Sequence, residues 1–236
     1  MKQKIISLSN LNIKYNTKVI LEDVNLNIYK NDFIIIMGNS GSGKSTLLDI
    51  ISGLKKDYSG NVNIISKLNT AFVFQDPYTS FNPKRKIVDQ LKEVIPKDKR
   101  EKYIDIINEN ISFINLDIEK IYYYPNRLSG GELQRLSLLR SILQEPDIIL
   151  LDEPTSALDV VNQKNILNIL KKLHDELFIT IVMVTHDFKF LKHIGNRVII
   201  IHDKKIIFDD ESKNLTNSKI PYIQELEKSY TYFKED

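Results

Sequence analysis

Residues 33–51, FIIIMGNSGSGKSTLLDII, constrain the fold more tightly than any other stretch of the chain. FIIIM has no polar position, so as a strand it must be covered on both faces, the condition of a central strand in a parallel sheet. It runs directly into a glycine-rich segment, and the apolar spacing of LLDIISGL after that reads as a helix. GNSGSGKST, residues 38–46, fits the pattern G-x-x-x-x-G-K-[ST] between a predicted strand and a predicted helix. Glycines at 38, 41 and 43 let backbone N–H groups curl around phosphate oxygens, Lys44 adds a point charge, and the Ser45 hydroxyl can ligate Mg²⁺. The candidate nucleotide-binding residues of this loop are Gly38, Asn39, Ser40, Gly41, Gly43, Lys44, Ser45 and Thr46.

The rest of the chain sorts around that unit. KIISLSNLNIKY and VNLNIYK alternate apolar and polar residues, as half-buried strands of a small antiparallel sheet do. NVNII (61–65) and TAFVF (70–74) read as further short strands. Residues 76–127 change character, from the Pro- and aromatic-containing PYTSFNPKR to mixed charged and apolar residues with helical periodicity, and read as an inserted helical subdomain. Helix and strand then alternate: LSGGELQRLSLLRSIL, DIILLDE, a helix from about Val160 to Glu176, the strand FITIVMVTHD, a short helix and the strand RVIIIHD. Such alternation implies an α/β fold with a mainly parallel sheet. Residues 209–236 read as a C-terminal helical tail.

Two more stretches carry chemistry. IILLDE (148–153) is an apolar strand ending in acid: beside a phosphate loop, Asp152 can hold a metal ion and Glu153 can orient or deprotonate an attacking water. Without the loop, the same two acids could equally cap a core strand. RLSGGELQR (127–135) puts two glycines behind a serine at a helix start, where free N–H groups can meet an anion. That stretch has no lysine of its own, so the rest of its site must lie elsewhere.

The phosphate loop, LSGGE, ILLDEPTSALD and VTHD, in this order, resemble the nucleotide-binding subunit of the ATP-binding cassette family over essentially the whole chain. The resemblance implies a single ATPase domain over residues 1–236: a phosphate-loop NTPase core, an N-terminal antiparallel β subdomain and an inserted helical subdomain. It implies that Ser129, Gly130 and Gly131 bind the γ-phosphate of ATP held by the phosphate loop of a second, identical or paralogous subunit. It places Tyr15 under the adenine, although a strand tyrosine packing on the core remains the alternative. Gln75 would reach metal and attacking water, His186 the γ-phosphate, and Ser156 to Asp159 would link the two composite sites. Glu132 stands where many relatives carry glutamine. His174, His193 and His202 read as ordinary polar residues.

FQDPYTSFNP, YYPNRLSGGE and SKIPYIQELEKS narrow the resemblance to ATPases of peptide and nickel importers, including transporters of metal chelates. A short segment between Gly60 and Ala71 and a tail without a cysteine-bearing extension favour the compact nickel or metal-chelate type. The implied partners are membrane-spanning permease subunits and, indirectly, an extracytoplasmic solute-binding protein, with the chain at the cytoplasmic face of the membrane. Tyr78, Phe81 and Tyr122 to Tyr124 are either docking residues for the permease or the core of the small subdomain. The charged stretch PKDKREK (96–102) reads as a solvated helix start or loop.

Composition limits the alternatives. The 33 basic and 31 acidic residues leave a net charge of +2, so no large field favours nucleic acid or anionic lipid. The absence of cysteine excludes disulfides and thiolate metal sites. No apolar run approaches the roughly 20 residues that span a bilayer. A non-transport ATPase acting on ribosomes or nucleic acid is the alternative of a different class, and a regulatory module that binds ATP without hydrolysis is a third; intact Glu153 and His186 weigh against the last.

Overall fold

The computed structural model describes residues 2–187 and 196–232. The short helix expected between His186 and the following strand, and His193 within it, lie outside the described residues. Strands β1 (Lys4–Tyr15), β2 (Lys18–Tyr29) and β4 (Ser59–Ile64) form an antiparallel sheet in the order β2-β1-β4. Strands β3 (Phe33–Met37), β5 (Thr70–Val73), β6 (Ile148–Asp152), β7 (Thr180–Val184), β8 (Arg197–His202) and β9 (Lys205–Glu211) form a second sheet, ordered β5-β6-β7-β3-β8-β9. Its pairings are parallel except β8 with β9.

Alternation along the central strands explains why FIIIM carries no polar residue. Phe33, Ile35 and Met37 of β3 enter one core with Ile149, Leu151, Ile181, Met183, Val198 and Ile200. Ile34 and Ile36 enter a second core, on the opposite face, with Ile148, Leu150, Val182, Val184, Ile199 and Ile201. The antiparallel sheet and helix α1 (Lys44–Ile51) cover the second face with Leu11, Ile13, Leu21, Leu47 and Leu48. The first face is covered by α2 (Ile87–Val94), α3 (Tyr103–Ile111), α4 (Gly130–Ile142) and α5 (Val160–Leu177), and by Leu215 and Ile223 near the C-terminus. One continuous apolar pattern thus serves two cores, as a doubly covered parallel sheet requires.

Residues 76–127 contain α2, α3 and short 3-10 turns. Phe81, named as a docking candidate, is instead 3% exposed in the first core, with the Arg140 guanidinium over its ring. The small helices need an apolar centre, and Phe81 supplies part of it. Tyr78 and Tyr122 to Tyr124 remain exposed. The charged stretch PKDKREK forms a 3-10 helix, Lys97–Lys102, with no buried residue. The C-terminal region differs from expectation: Lys205–Glu211 is strand β9, which returns from β8 through the turn at Asp203 and Lys204, both with positive φ, and helix α6 begins only at Pro221 (Pro221–Tyr232). The sequence KIIFDDE is too short and too mixed for periodicity alone to mark it as a strand.

Among the described residues no helix is long and apolar enough to cross a membrane. Leu150, at 0% exposure in the middle of β6, tests the packing. Leu150→Ala is expected to lower the unfolding free energy by about 2–5 kcal/mol in a denaturant titration, with the slope of the transition unchanged.

Candidate functional site

Parallel pairing carries motifs that are far apart in sequence to one edge. β5, β6, β7 and β3 lie side by side and end in the same direction, so Gln75, the Asp152–Glu153 pair, His186 and the phosphate loop follow one another along the carboxyl edge of the sheet. Backbone hydrogen bonds lock the neighbours: Glu153 donates to the Val184 carbonyl at 3.0 Å, and Thr185 to the Ile36 carbonyl at 3.1 Å.

The phosphate loop has the conformation its glycines allow. Gly38 has φ +154°, and a Cβ there would lie 2.4 Å from the Ile201 carbonyl oxygen of β8. Gly43, in the left-handed region at φ 97°, starts α1 with no side-chain cap, which leaves the helix's first N–H groups available to an anion. Lys44 is 5% exposed, and its Nζ donates to the Gly38 and Asn39 carbonyls, both at 2.9 Å. Burial pushes the ammonium below its ordinary pKa, and the Glu153 and Asp152 carboxylates pull it back up. Asn39, Ser40 and Gly41 form the outer wall of the loop, where two cavities meet it. Thr46 lies in the first turn of α1.

Asp152, the last residue of β6, accepts a hydrogen bond from the Ser45 hydroxyl at 3.0 Å. Burial raises its pKa, with the nearby Glu153 and Asp49 carboxylates adding to the effect against Ser45 and Lys44. Glu153 sits at φ 45°, a conformation a β-branched or bulky side chain rarely holds. Its Oε2 lies 3.3 Å from His186 Nδ1 and accepts a long hydrogen bond from Gln75 Nε2 at 3.5 Å. The Gln75 amide also donates to Ser156 Oγ at 3.3 Å. A cavity of about 350 Å³ is lined by Met37, Gly38, Asn39, Ser40, Glu153, His186, Tyr222 and Leu226. One carboxylate thus stands between an amide and an imidazole beside a phosphate loop, an arrangement able to hold and deprotonate a water.

Ser129, Gly130 and Gly131 do not line that cavity. They start α4 in a capping box: Ser129 Oγ accepts from the Glu132 amide at 3.3 Å, while Ser129 donates its N–H to Glu132 Oε2 at 2.8 Å. Glutamate and glutamine serve this box alike, which accounts for Glu132. Lys120 pairs with the other oxygen of that carboxylate at 2.9 Å. A Cβ on Gly131 would lie 2.6 Å from the Asn162 side-chain oxygen, so a larger residue there would have to displace the Asn162 side chain. Asn162 in turn donates to Asp159, the N-cap of α5, through its N–H at 2.9 Å and its side-chain amide at 2.6 Å, and accepts from Arg135 at 2.9 Å. Sequence reasoning passed over Asn162 and Arg135, because neither has a signal apart from this contact.

Tyr15 ends β1 half-exposed, outside both cavities, with the Lys55 ammonium 4.0 Å from its ring centroid. Among the other histidines, His174 meets the Ile179 carbonyl and the Phe33 ring. His202 stacks on Tyr222 beside the phosphate loop, so it belongs to the surroundings of the site.

Burial of Asp152 has a thermodynamic consequence with a definite sign. Its folded pKa is raised, so in the window between its unfolded and folded values the folded chain binds the extra proton, and stability falls as pH rises through that window. At neutral pH the ionised group therefore destabilises the fold. Asp152→Asn is expected to raise the thermal midpoint at pH 7 in scanning calorimetry, with the advantage shrinking as pH is lowered toward the carboxylate range.

The chain is similar to known proteins over most of its length. Residues 21–156 match the family model described as ABC transporter. The nickel import system ATP-binding protein NikE of Staphylococcus aureus (strain N315) is 32% identical over 234 residues, 97% of this chain and all of that protein. A dimeric post-hydrolysis structure of the ATP-binding cassette MJ0796, bound to ADP and Pi, is 31% identical and superposes with TM-score 0.74 over 88% of this chain and 99% of that one. An inward-facing metal-chelate type ABC transporter is 27% identical, with TM-score 0.78 over 90% of this chain and 85% of that one. With the family model spanning more than half of its length and a 32% identical relative covered from end to end, the chain belongs to the ATP-binding cassette transporter family, as an ATP-binding, ATPase subunit.

Proposed function

We propose that this chain hydrolyses Mg·ATP to drive import of nickel, a metal chelate or a peptide through separate membrane subunits. The observation that carries the reading is the Glu153 carboxylate, within reach of His186 and Gln75 on the wall of the cavity it shares with the phosphate loop. Glu153 orients and deprotonates the attacking water, His186 contacts the γ-phosphate, and Gln75 reports the state of the site to residues 76–127, the inserted helical subdomain. Lys44 exchanges its bonds to the Gly38 and Asn39 carbonyls for phosphate oxygens. The chemistry is positioning and charge stabilisation, without a covalent intermediate.

The donor set suits Mg²⁺: the Ser45 hydroxyl and the Asp152 carboxylate already meet at 3.0 Å, and Gln75 brings an amide oxygen, all hard ligands. Bound there, the ion would neutralise charge developing on the phosphate oxygens. Tyr15 stacks on the adenine. Ser129, Gly130 and Gly131 serve the phosphate loop of a second subunit, a reading supported by their position away from this chain's own cavity and by the dimeric state of the MJ0796 cassette. Asp159 lies at that junction.

Likeness to NikE supports the import direction, likeness to NikE and to the metal-chelate type transporter supports the substrate class, and in this reading the chain works at the cytoplasmic face of a membrane. Permease subunits would dock near Gln75. There a cavity of about 440 Å³, lined by residues including Phe72, Phe74, Val94 and Arg140, opens between the sheet and the helices. Phe74, in its lining, is about half exposed. A solute-binding protein would deliver the substrate on the far side.

Glu153→Gln is expected to lower phosphate release by roughly 10²- to 10⁴-fold while ATP still binds and holds two subunits together; undiminished release would remove Glu153 as the base. Lys44→Ala is expected to weaken nucleotide binding, and unchanged affinity in an equilibrium titration would remove that role. Affinity purification of the tagged chain from mildly solubilised membranes should bring down permeases and a solute-binding protein. Recovery of ribosomal partners in their place would overturn the transport reading and leave the ATPase intact.

A further inference from the structure

Helix α6 reaches the phosphate loop. Its residue Ile223 is fully buried in the first core beside Leu215, which fixes where the helix lies. The next residue toward the N-terminus, Tyr222, donates its hydroxyl to Asn39 Oδ1 at 3.0 Å, and its ring stacks on His202 with centroids 3.8 Å apart and planes 22° from parallel. His202 ends β8, the strand whose Ile201 carbonyl abuts Gly38. Tyr222 is therefore held by packing on one side and by a ring on another, and its hydroxyl is presented to the loop at little entropic cost.

Asn39 is the residue through which this contact can act. Its carbonyl accepts from Lys44 Nζ at 2.9 Å and from the Ser42 amide at 3.1 Å, while its side chain accepts from Tyr222. Tyr222 and Leu226 also line the cavity that Glu153 and His186 line. The contact thus fronts the side of the loop where Glu153 and His186 lie. We propose that Tyr222 is a positioning residue for the phosphate loop, holding Asn39, and with it the loop backbone that Lys44 leaves on binding, in the arrangement that accepts the terminal phosphate of ATP. The C-terminal helix is then a structural part of the nucleotide site, and any partner or modification that lifts α6 would loosen ATP without touching a phosphate contact. This inference rests on the ATP-binding reading of the loop.

The test uses the full chain and equilibrium titration with ATP and ADP, on the wild type, Tyr222→Phe, Asn39→Ala and the double variant. Tyr222→Phe keeps the stacking ring, so its thermal midpoint should stay at the wild-type value. Its affinity for ATP is expected to fall about 2- to 10-fold, the effect of one lost hydrogen bond, with a smaller change for ADP. Asn39→Ala should weaken ATP comparably, and the double variant should be no weaker than the worse single variant. Unchanged ATP affinity in Tyr222→Phe, equal loss for both nucleotides, or losses that multiply in the double variant would each overturn the proposal. A wild-type chain that binds neither nucleotide would overturn the nucleotide reading as well, whereas normal wild-type binding with an unaffected Tyr222→Phe overturns this inference alone.

Discussion

Everything at the candidate site depends on the parallel pairing of β3 with β7 on one side and β8 on the other. Parallel strands end at the same edge, so the loop leaving β3 meets the acids leaving β6 within hydrogen-bond distance across 107 residues of chain, and those acids meet the histidine leaving β7. The pairing itself survives only because both faces are covered. Alternate residues of each strand feed separate cores, and exposing either face would leave a ladder of apolar side chains in water.

The same edge concentrates opposing electrostatic demands. Lys44 is buried and depressed, Asp152 is partly buried and raised, and each relieves the other only in part. Desolvation is the leading cause in both cases, so the arrangement is costly as it stands. Groups held in this way favour a ligand that brings the missing counter-charges, which a nucleotide and a divalent cation together would do. Glu153 adds a backbone cost, with a positive φ kept in place by its bond to the Val184 carbonyl. Strain and desolvation at one edge are tolerated because the two cores beneath it are well packed.

Much of this was legible in the chain because the relevant signals are local. GNSGSGKST sits between an apolar strand and an amphipathic helix, IILLDE ends a buried strand in acid, and two glycines behind Ser129 open a helix. Other features were hidden because they depend on contacts between distant residues. From the sequence Phe81 could be a docking aromatic or part of the small subdomain's core, and only its packing in the first core, with Arg140 over the ring, decides. Strand β9 has no period of its own and exists because β8 offers an edge. Gly131 suggests ligand access, yet a side chain there would also have to displace Asn162, on the next long helix.

What the sequence alone determined was the inventory: a phosphate loop, the carboxylate pair, a glutamine and a histidine each placed after a strand, and the strand–helix alternation that makes the sheet parallel. These follow from short-range backbone preferences and the period of apolar residues, which act within a few positions of chain. Tertiary structure alone decided which of them touch, that Ser129 to Gly131 stay apart from their own phosphate loop's cavity, and that Tyr222 on the last helix comes to rest against Asn39. The physical reason is that strand order and helix docking are set by the burial of Ile223, Phe81 and the alternating cores against one another, a sum over distant pairs that no local pattern contains.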